Sequence, residues 1–255
     1  MTEKKPAASL SDKTILVTRP AGREKHLRQL IQQAGGSSIH YPVINIQALP
    51  PPATEQLEEL HNFNMAIFIS KTAVENSHVY FPALTKDIVI VSIGSKTTKS
   101  LQQHNLHVDN EAPQHNTESL LLLPEFQQPQ ILQQKILIFR GVGGRALLGD
   151  TLKQRGAIVR YIETYKRKIP AHKPLTEHQL KSLDAITVSS NEGLDNLVKL
   201  MGGPNRLTGI PLVLPSQRAV IMAREYGFES LILAKNATDE AMLTALADYF
   251  SLSQN

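Results

Sequence analysis

The sequence contains no cysteine and no tryptophan. The first absence removes disulfides, thiolate nucleophiles and cysteine metal sites together, and it suits a reducing cytoplasm. The second, with aromatic residues at only 5%, leaves little surface for stacking on a sugar or a nucleobase. No apolar run reaches the roughly 20 residues that a membrane-spanning helix needs. The opening MTEKKPAASLSDK carries charge with no apolar stretch behind it, so no signal peptide is expected there. Neither sign of charge dominates. The 27 Lys and Arg against 23 Asp and Glu suit an anionic ligand, but the surplus is too small and scattered for nucleic acid. Nucleophile elbows (G-x-S-x-G) and H-E-x-x-H zinc motifs are also missing. Among the nine histidines, His104 and His107 in QQHNLHV lack a third ligand. The expectation is a cytoplasmic protein, monomeric by default, with no metal and no nucleic-acid or membrane partner.

What is present is a sequence written twice. KTILVTRPAGREKHLRQLIQQAGG (Lys13–Gly36) resembles KILIFRGVGGRALLGDTLKQRGA, with Arg19 on Arg140, Gly22 on Gly143 and Gly35 on Gly156, an offset of 121 residues. MAIFISKTAVEN then matches AITVSSNEGLDN, IVIVSIGSKTTKSL echoes IPLVLPSQRAVIMA, and NTESLLLL echoes ATDEAMLTAL. Blocks in one order at a nearly constant offset imply two copies of one module. Ile15–Thr18, Met65–Ile69, Ile88–Ile93, Ile136–Phe139, Ala185–Val188, Leu212–Leu214 and Leu231–Leu233 are short, continuous and apolar, the mark of buried parallel strands. Leu27, Leu30, Ile31 and Ala34 keep helical spacing, as do Leu243, Leu246, Ala247 and Phe250. Gly35 and Gly156 stand where a helix should end in a left-handed residue. The longer mixed segments Ser37–Leu49 and Ala157–Pro170 are expected to be two antiparallel connectors, with a hinged cleft between the modules.

The chemistry sits at the predicted strand ends. RGVGGRAL lacks the Gly-Lys-Ser/Thr of a P-loop, and Ala146 fills the third place of a dinucleotide fingerprint that Gly141 and Gly143 otherwise fit. The loop is therefore either an anion-binding run of backbone amides or a tight turn. Ser70-Lys71-Thr72, the Gly94–Thr98 stretch with Thr97, Ser189-Ser190-Asn191 and Ser216-Gln217-Arg218 each follow an apolar run and precede a helix. Ligands bind at such ends of open parallel sheets, and the same hydroxyls also serve as helix caps.

ILVTRP, IFISKTAVE, SIGSKTTKSL, the P-x-x-x-T-E-x-L of Pro113–Leu120 and ILIFRGVGGRALLGDTLKQRGAIVRYIETYKR, followed by TVSSNEGLDNL, resemble the uroporphyrinogen-III synthase family over about Lys13 to Phe250. The chain departs from the family pattern at Ile69, Thr72 and Arg218. The resemblance implies an α/β protein of two flavodoxin-like parallel-sheet α/β/α domains joined by a two-stranded antiparallel connector. Residues 1–38 with 170–255 would form domain 1, residues 48–158 domain 2, and residues 39–47 and 159–169 the connecting ladder. It also implies a lyase of haem biosynthesis that needs no cofactor and closes hydroxymethylbilane, a linear tetrapyrrole with eight carboxylates, with ring D inverted. Transient contact with the preceding pathway enzyme is a further expectation. Tyr165 matches the cleft tyrosine that assists loss of hydroxyl as water, and Thr97 the cleft threonine. Arg19, Ser70, Lys71, Arg140, Gly141, Gly143, Ser190 and Ser216 occupy motif positions expected to bind substrate. The alternative is a non-enzymatic, hinged two-domain binder of an anion, against which the scarcity of aromatics counts.

Overall fold

The computed structural model describes residues 10–84 and 87–252. Most of the expected N-terminal tail, residues 1–12, lies outside the described residues. In chain order, β1 (Thr14–Val17), α1 (Lys25–Gln33) and β2 (Ser37–His40) come first. Next are β3 (Asn45–Ala48), α2 (Thr54–Glu58), β4 (Met65–Phe68), α3 (Lys71–Glu75), β5 (Val89–Ser92) and α4 (Ser95–Gln103). They are followed by β6 (Asn110–Glu111), α5 (Thr117–Leu121), β7 (Lys135–Gly141), α6 (Leu147–Gln154) and β8 (Ile158–Lys168). The chain then forms α7 (Glu177–Lys181), β9 (Ala185–Thr187), α8 (Asn191–Leu200), β10 (Leu212–Leu214), α9 (Gln217–Glu225), β11 (Leu231–Leu233) and α10 (Asp239–Leu252). Two compact units result: one takes residues up to Asn45 and from Lys168 onward, the other Ile46–Arg167.

The first unit holds the sheet β11-β10-β9-β1-β2, and its four strand pairings are all parallel. The second holds β3-β8-β7-β4-β5-β6, parallel from β8 through to β6. Under the repeat, β7 stands for β1, β8 for β2, β4 for β9, β5 for β10 and β6 for β11. The two sheets then have the same strand order, so the duplicated sequence is a duplicated topology. Period-two packing explains the continuous apolar runs. In the second unit Ala66, Phe68, Leu137 and Phe139 enter one core, while Met65, Ile67, Ile136 and Ile138 enter the core on the opposite face. Phe68 and Phe139 stack at 4.4 Å between centroids. In the first unit Ile15, Val17, Ala185 and Val213 pack with Leu27 and Ile31 of α1 and Met242, Leu246 and Phe250 of α10.

Helix ends follow the expected glycines. Gly35 and Gly156 have φ of +87° and +91°. After each, the next residue bonds back into the last turn, Gly36 N to Ile31 O and Ala157 N to Leu152 O, both 3.0 Å, as in a Schellman ending.

The two long segments differ from the expectation. Ser37–Leu49 is two strands, β2 and β3, parted at Tyr41-Pro42, where proline removes a donor. The second segment is not only a connector: β8 also pairs in parallel with β7 from Ile158 to Tyr165 and so belongs to the sheet of its unit. Its mixed composition has a physical source, because Ile162, Thr164 and Tyr165 are buried while Arg160 and Glu163 find charged partners in Glu59 and Arg140. β3 lies beside β8, with Leu49 N donating to Thr164 O at 3.0 Å.

Candidate active site

In the second unit the carboxyl ends of β4, β5 and β7 surround a cavity of about 200 Å³ lined by Ile69, Ile93, His115, Arg140, Arg145 and Tyr161, with Asn116 and Thr117 at the start of α5. It opens where the strand order reverses between β7 and β4, the place where open parallel sheets take ligands. β7 enters the glycine loop here. Gly143 has φ +74° with open space where a Cβ would stand, so backbone conformation is what demands glycine. At Gly141 the demand is for space, since a Cβ would lie 2.6 Å from Cζ of Tyr165. Tyr165 faces Gly141 across the ladder, beside a bulge between Arg140 and Gly141, and Val142 N donates to Tyr165 O at 2.9 Å. The ring of Tyr165 is buried in the core that holds Phe68 and Phe139, and its hydroxyl makes no hydrogen bond among the described residues.

Arg140 ties the loop down. Its Nε and Nη2 donate to Glu163 Oε1 at 3.3 and 3.0 Å, and its Nη1 donates to Gly144 O at 3.2 Å. The guanidinium carbon sits 3.9 Å from the centroid of the Tyr161 ring. Burial raises the Tyr161 phenol above its usual pKa, Arg140 works against that, and Asp150 adds to it. The loop cation Arg145 is likewise paired, to Glu118 Oε1 at 2.9 Å.

The first unit repeats the arrangement with different partners. Arg19, at the end of β1, donates through Nη2 to Ala237 O at 2.7 Å and forms an ion pair with Asp239 Oδ1 at 2.7 Å, although the angle there is not that of a hydrogen bond. Under the offset, Asp239 corresponds to Glu118. One acidic position at the start of the last helix of each module is thus used twice, by Arg19 in one unit and by Arg145 in the other. Gly22, like Gly143, has positive φ, +81°. Glu24 is nearly buried beside it. Burial pushes its carboxyl up, but the backbone donors of Glu24 and Gly22 and the charges of His40 and Lys25 outweigh that and leave it below the usual carboxylate range.

A family model described as uroporphyrinogen-III synthase HemD matches residues 25–244. The chain belongs to the uroporphyrinogen-III synthase family. A relative of that name from Escherichia coli (strain K12) is 32% identical over 254 residues, covering 91% of this chain and 99% of that protein. One from Salmonella typhimurium is 29% identical over 246 residues, with coverage of 91% and 99%. Among solved structures, a mutant uroporphyrinogen III synthase from the extremely thermophilic bacterium Thermus thermophilus aligns with a TM-score of 0.62 over 95% of this chain and 100% of that one at 15% identity. The synthetase from Helicobacter pylori 26695 gives 0.56 over 95% and 100% at 17%. At such identities these two likenesses are of fold.

The uroporphyrinogen-III synthase motif serines all sit at helix starts. Ser70 accepts from Ala73 N (3.1 Å), Ser190 from Gly193 N (3.0 Å) and Ser216 from Ala219 N (3.3 Å), so each caps a helix. Accepting costs a hydroxyl only a lone pair, and its hydrogen stays available to donate. Thr97 is buried in the first turn of α4. Lys71 pairs with Glu75 at 3.3 Å, and Arg218 is exposed. Ser70, Lys71, Thr97, Arg140, Gly141, Gly143 and Tyr165 therefore fall in the second unit, and Arg19, Ser190 and Ser216 in the first. Sequence reasoning missed the acids Glu163, Glu118 and Asp239 that occupy these arginines. The doubled acid of the final block, Glu118 on Asp239, was the available signal. It also missed His115, which lines the cavity, and its partner Glu111, which no repeat or periodicity marks. Among the described residues no cluster of His, Cys, Asp and Glu is arranged to hold a metal, and no helix is long and apolar enough to cross a membrane.

Proposed function

We propose that this chain is a uroporphyrinogen-III synthase: it cyclises hydroxymethylbilane to uroporphyrinogen III with loss of water and inversion of ring D, as a lyase of haem biosynthesis. The observation that carries the reading is the likeness to the E. coli protein of that name, which covers 91% of this chain and 99% of that one. Hydroxymethylbilane loses its terminal hydroxyl as water to give an electrophilic azafulvene. Ring D attacks through its substituted carbon, and the spiro intermediate breaks and recloses with that ring turned over. Left to itself the substrate closes to the symmetric isomer, so the protein must hold a flexible chain in one fold rather than supply a reactive group.

The residues suit positioning. The capping hydroxyls of Ser70, Ser190 and Ser216 have a hydrogen to give to acetate or propionate arms, as does that of Thr97. Lys71 adds charge, and the amides of the Gly141–Gly143 loop add donors. Arg19 and Arg140 already share carboxylates, so their proposed part in binding goes with holding the loops. The Tyr165 hydroxyl hydrogen-bonds the departing hydroxyl and assists its loss as water. We read the units as flavodoxin-like domains, whose module order 2-1-3-4-5 is that of the flavodoxin type. The joining ladder is β3 run antiparallel to the distal part of β8, within residues 39–47 and 159–169. A cytoplasmic monomer that needs no cofactor, with transient contact to the enzyme that makes hydroxymethylbilane, completes the proposal. Supplying freshly made hydroxymethylbilane and separating type I from type III product tests it, with type III expected to prevail.

A further inference from the structure

His115 stands apart from the motif residues and from the repeat. Its backbone has φ +54°, a left-handed conformation that residues other than glycine seldom adopt without cause. Its ring packs on Gly94, where an added Cβ would meet His115 Cβ at 3.1 Å and Cγ at 3.5 Å. Its Nδ1 lies 3.2 Å from Glu111 Oε1. The other oxygen of Glu111 accepts a short hydrogen bond from Thr98 Oγ1, which is 2.6 Å from Ser92 Oγ. Because the Thr98 proton is committed to Glu111, the fully buried Ser92 must donate to Thr98. Hydroxyl, hydroxyl and carboxylate thus form a one-way chain across β5, α4 and β6 that ends on one nitrogen of the imidazole. Nε2 is the polar atom left for a ligand, and His115 lines the cavity at the strand ends.

The other charged groups there are spoken for. Arg140 is paired to Glu163, Arg145 to Glu118, and Tyr161 lies under Arg140. A cavity of about 200 Å³ is smaller than the sites that enclose whole ligands. It suits one acidic arm rather than a tetrapyrrole. We propose that His115 is a carboxylate-binding residue of this site, held in place by the Ser92–Thr98–Glu111 chain. An imidazolium fixed by a carboxylate at Nδ1 presents Nε2–H as a charge-assisted donor to a second carboxylate. The inference rests on the proposed activity for its ligand.

The test uses His115→Gly and His115→Asn, both compatible with positive φ, and Glu111→Gln. With hydroxymethylbilane at pH 6, we expect KM to rise about five- to twentyfold in either His115 variant, with kcat within about twofold of the wild type. Glu111→Gln should show part of the effect. His115→Gly should melt no lower than the wild type, which a purely structural role would not allow. Uroporphyrin, a stable octacarboxylate macrocycle, reads the contact without turnover: its fluorescence titration at pH 6 should be weakened at least about fivefold by His115→Gly. Unchanged KM and unchanged uroporphyrin affinity, or no uroporphyrin binding by the wild type, overturns the inference. Absence of type III product with uroporphyrin binding that depends on His115 instead counts against the activity alone.

Discussion

Gly141 and Tyr165 define the residue scale, because each explains the other. The phenol ring lies where a Cβ would have to go, and it cannot swing away because it is buried in the core. Gly141→Ala should therefore cost about 1–3 kcal/mol, seen as a melting temperature lower by about 2–4 °C per kcal/mol. Differential scanning calorimetry checks this, and an unchanged transition would mean that the ring does not press on the glycine. Tyr165→Phe keeps the packing and removes only the hydroxyl. We expect kcat for uroporphyrinogen III formation to fall by about 100-fold with the melting temperature within about 2 °C, and a variant with full kcat would remove the phenol from the chemistry. The glycine was legible in the sequence as part of a Gly-rich loop. Its reason was not, because the partner ring is contributed by a different strand.

Among the elements, α8 shows how one acid anchors a helix. Asp195 accepts from Lys199 Nζ at 2.6 Å one turn along and from the Tyr226 hydroxyl at 2.7 Å just beyond α9. The Lys199 bond first, then that from Tyr226, holds its carboxyl below the usual carboxylate range. A carboxyl depressed in the folded state contributes stability above its unfolded pKa and loses it as pH falls through the folded value. The melting-temperature gap between wild type and Asp195→Asn should thus be widest near pH 7 and shrink steadily as the pH drops below about 4. A gap that stayed constant from pH 7 to pH 3 would show that the carboxylate charge contributes nothing. The elements themselves were largely legible. Apolar runs, left-handed glycines and serine caps are local signals: the expected strands stand within a residue or two of those observed, and the two sets at helical spacing fall on α1 and α10. What the connector segments did not show, the parallel pairing of β8 with β7, was hidden for a reason that is not local. On β8 the polar residues face Glu59 and Arg140, which are remote in sequence, so charge on a buried strand looked like exposure. The His115 network was invisible because β6 is two residues long and offers no periodicity to detect.

For the whole molecule the decisive fact is duplication. Two copies of one topology put the same apparatus at the ends of two sheets: a glycine turn in left-handed backbone, an arginine tied to an acid, and serines that cap helices while keeping a proton to donate. In the proposed function these donors hold the acidic arms of the substrate, because a reaction decided by conformation requires positioning. The central claim is that this chain dictates which way the last pyrrole of hydroxymethylbilane turns. The most direct measurement is the isomer ratio of the oxidised product, resolved chromatographically, as protein is titrated into a fixed amount of substrate. The account predicts that type III rises to saturation while type I falls in proportion. Type I output unchanged at every protein concentration would contradict it.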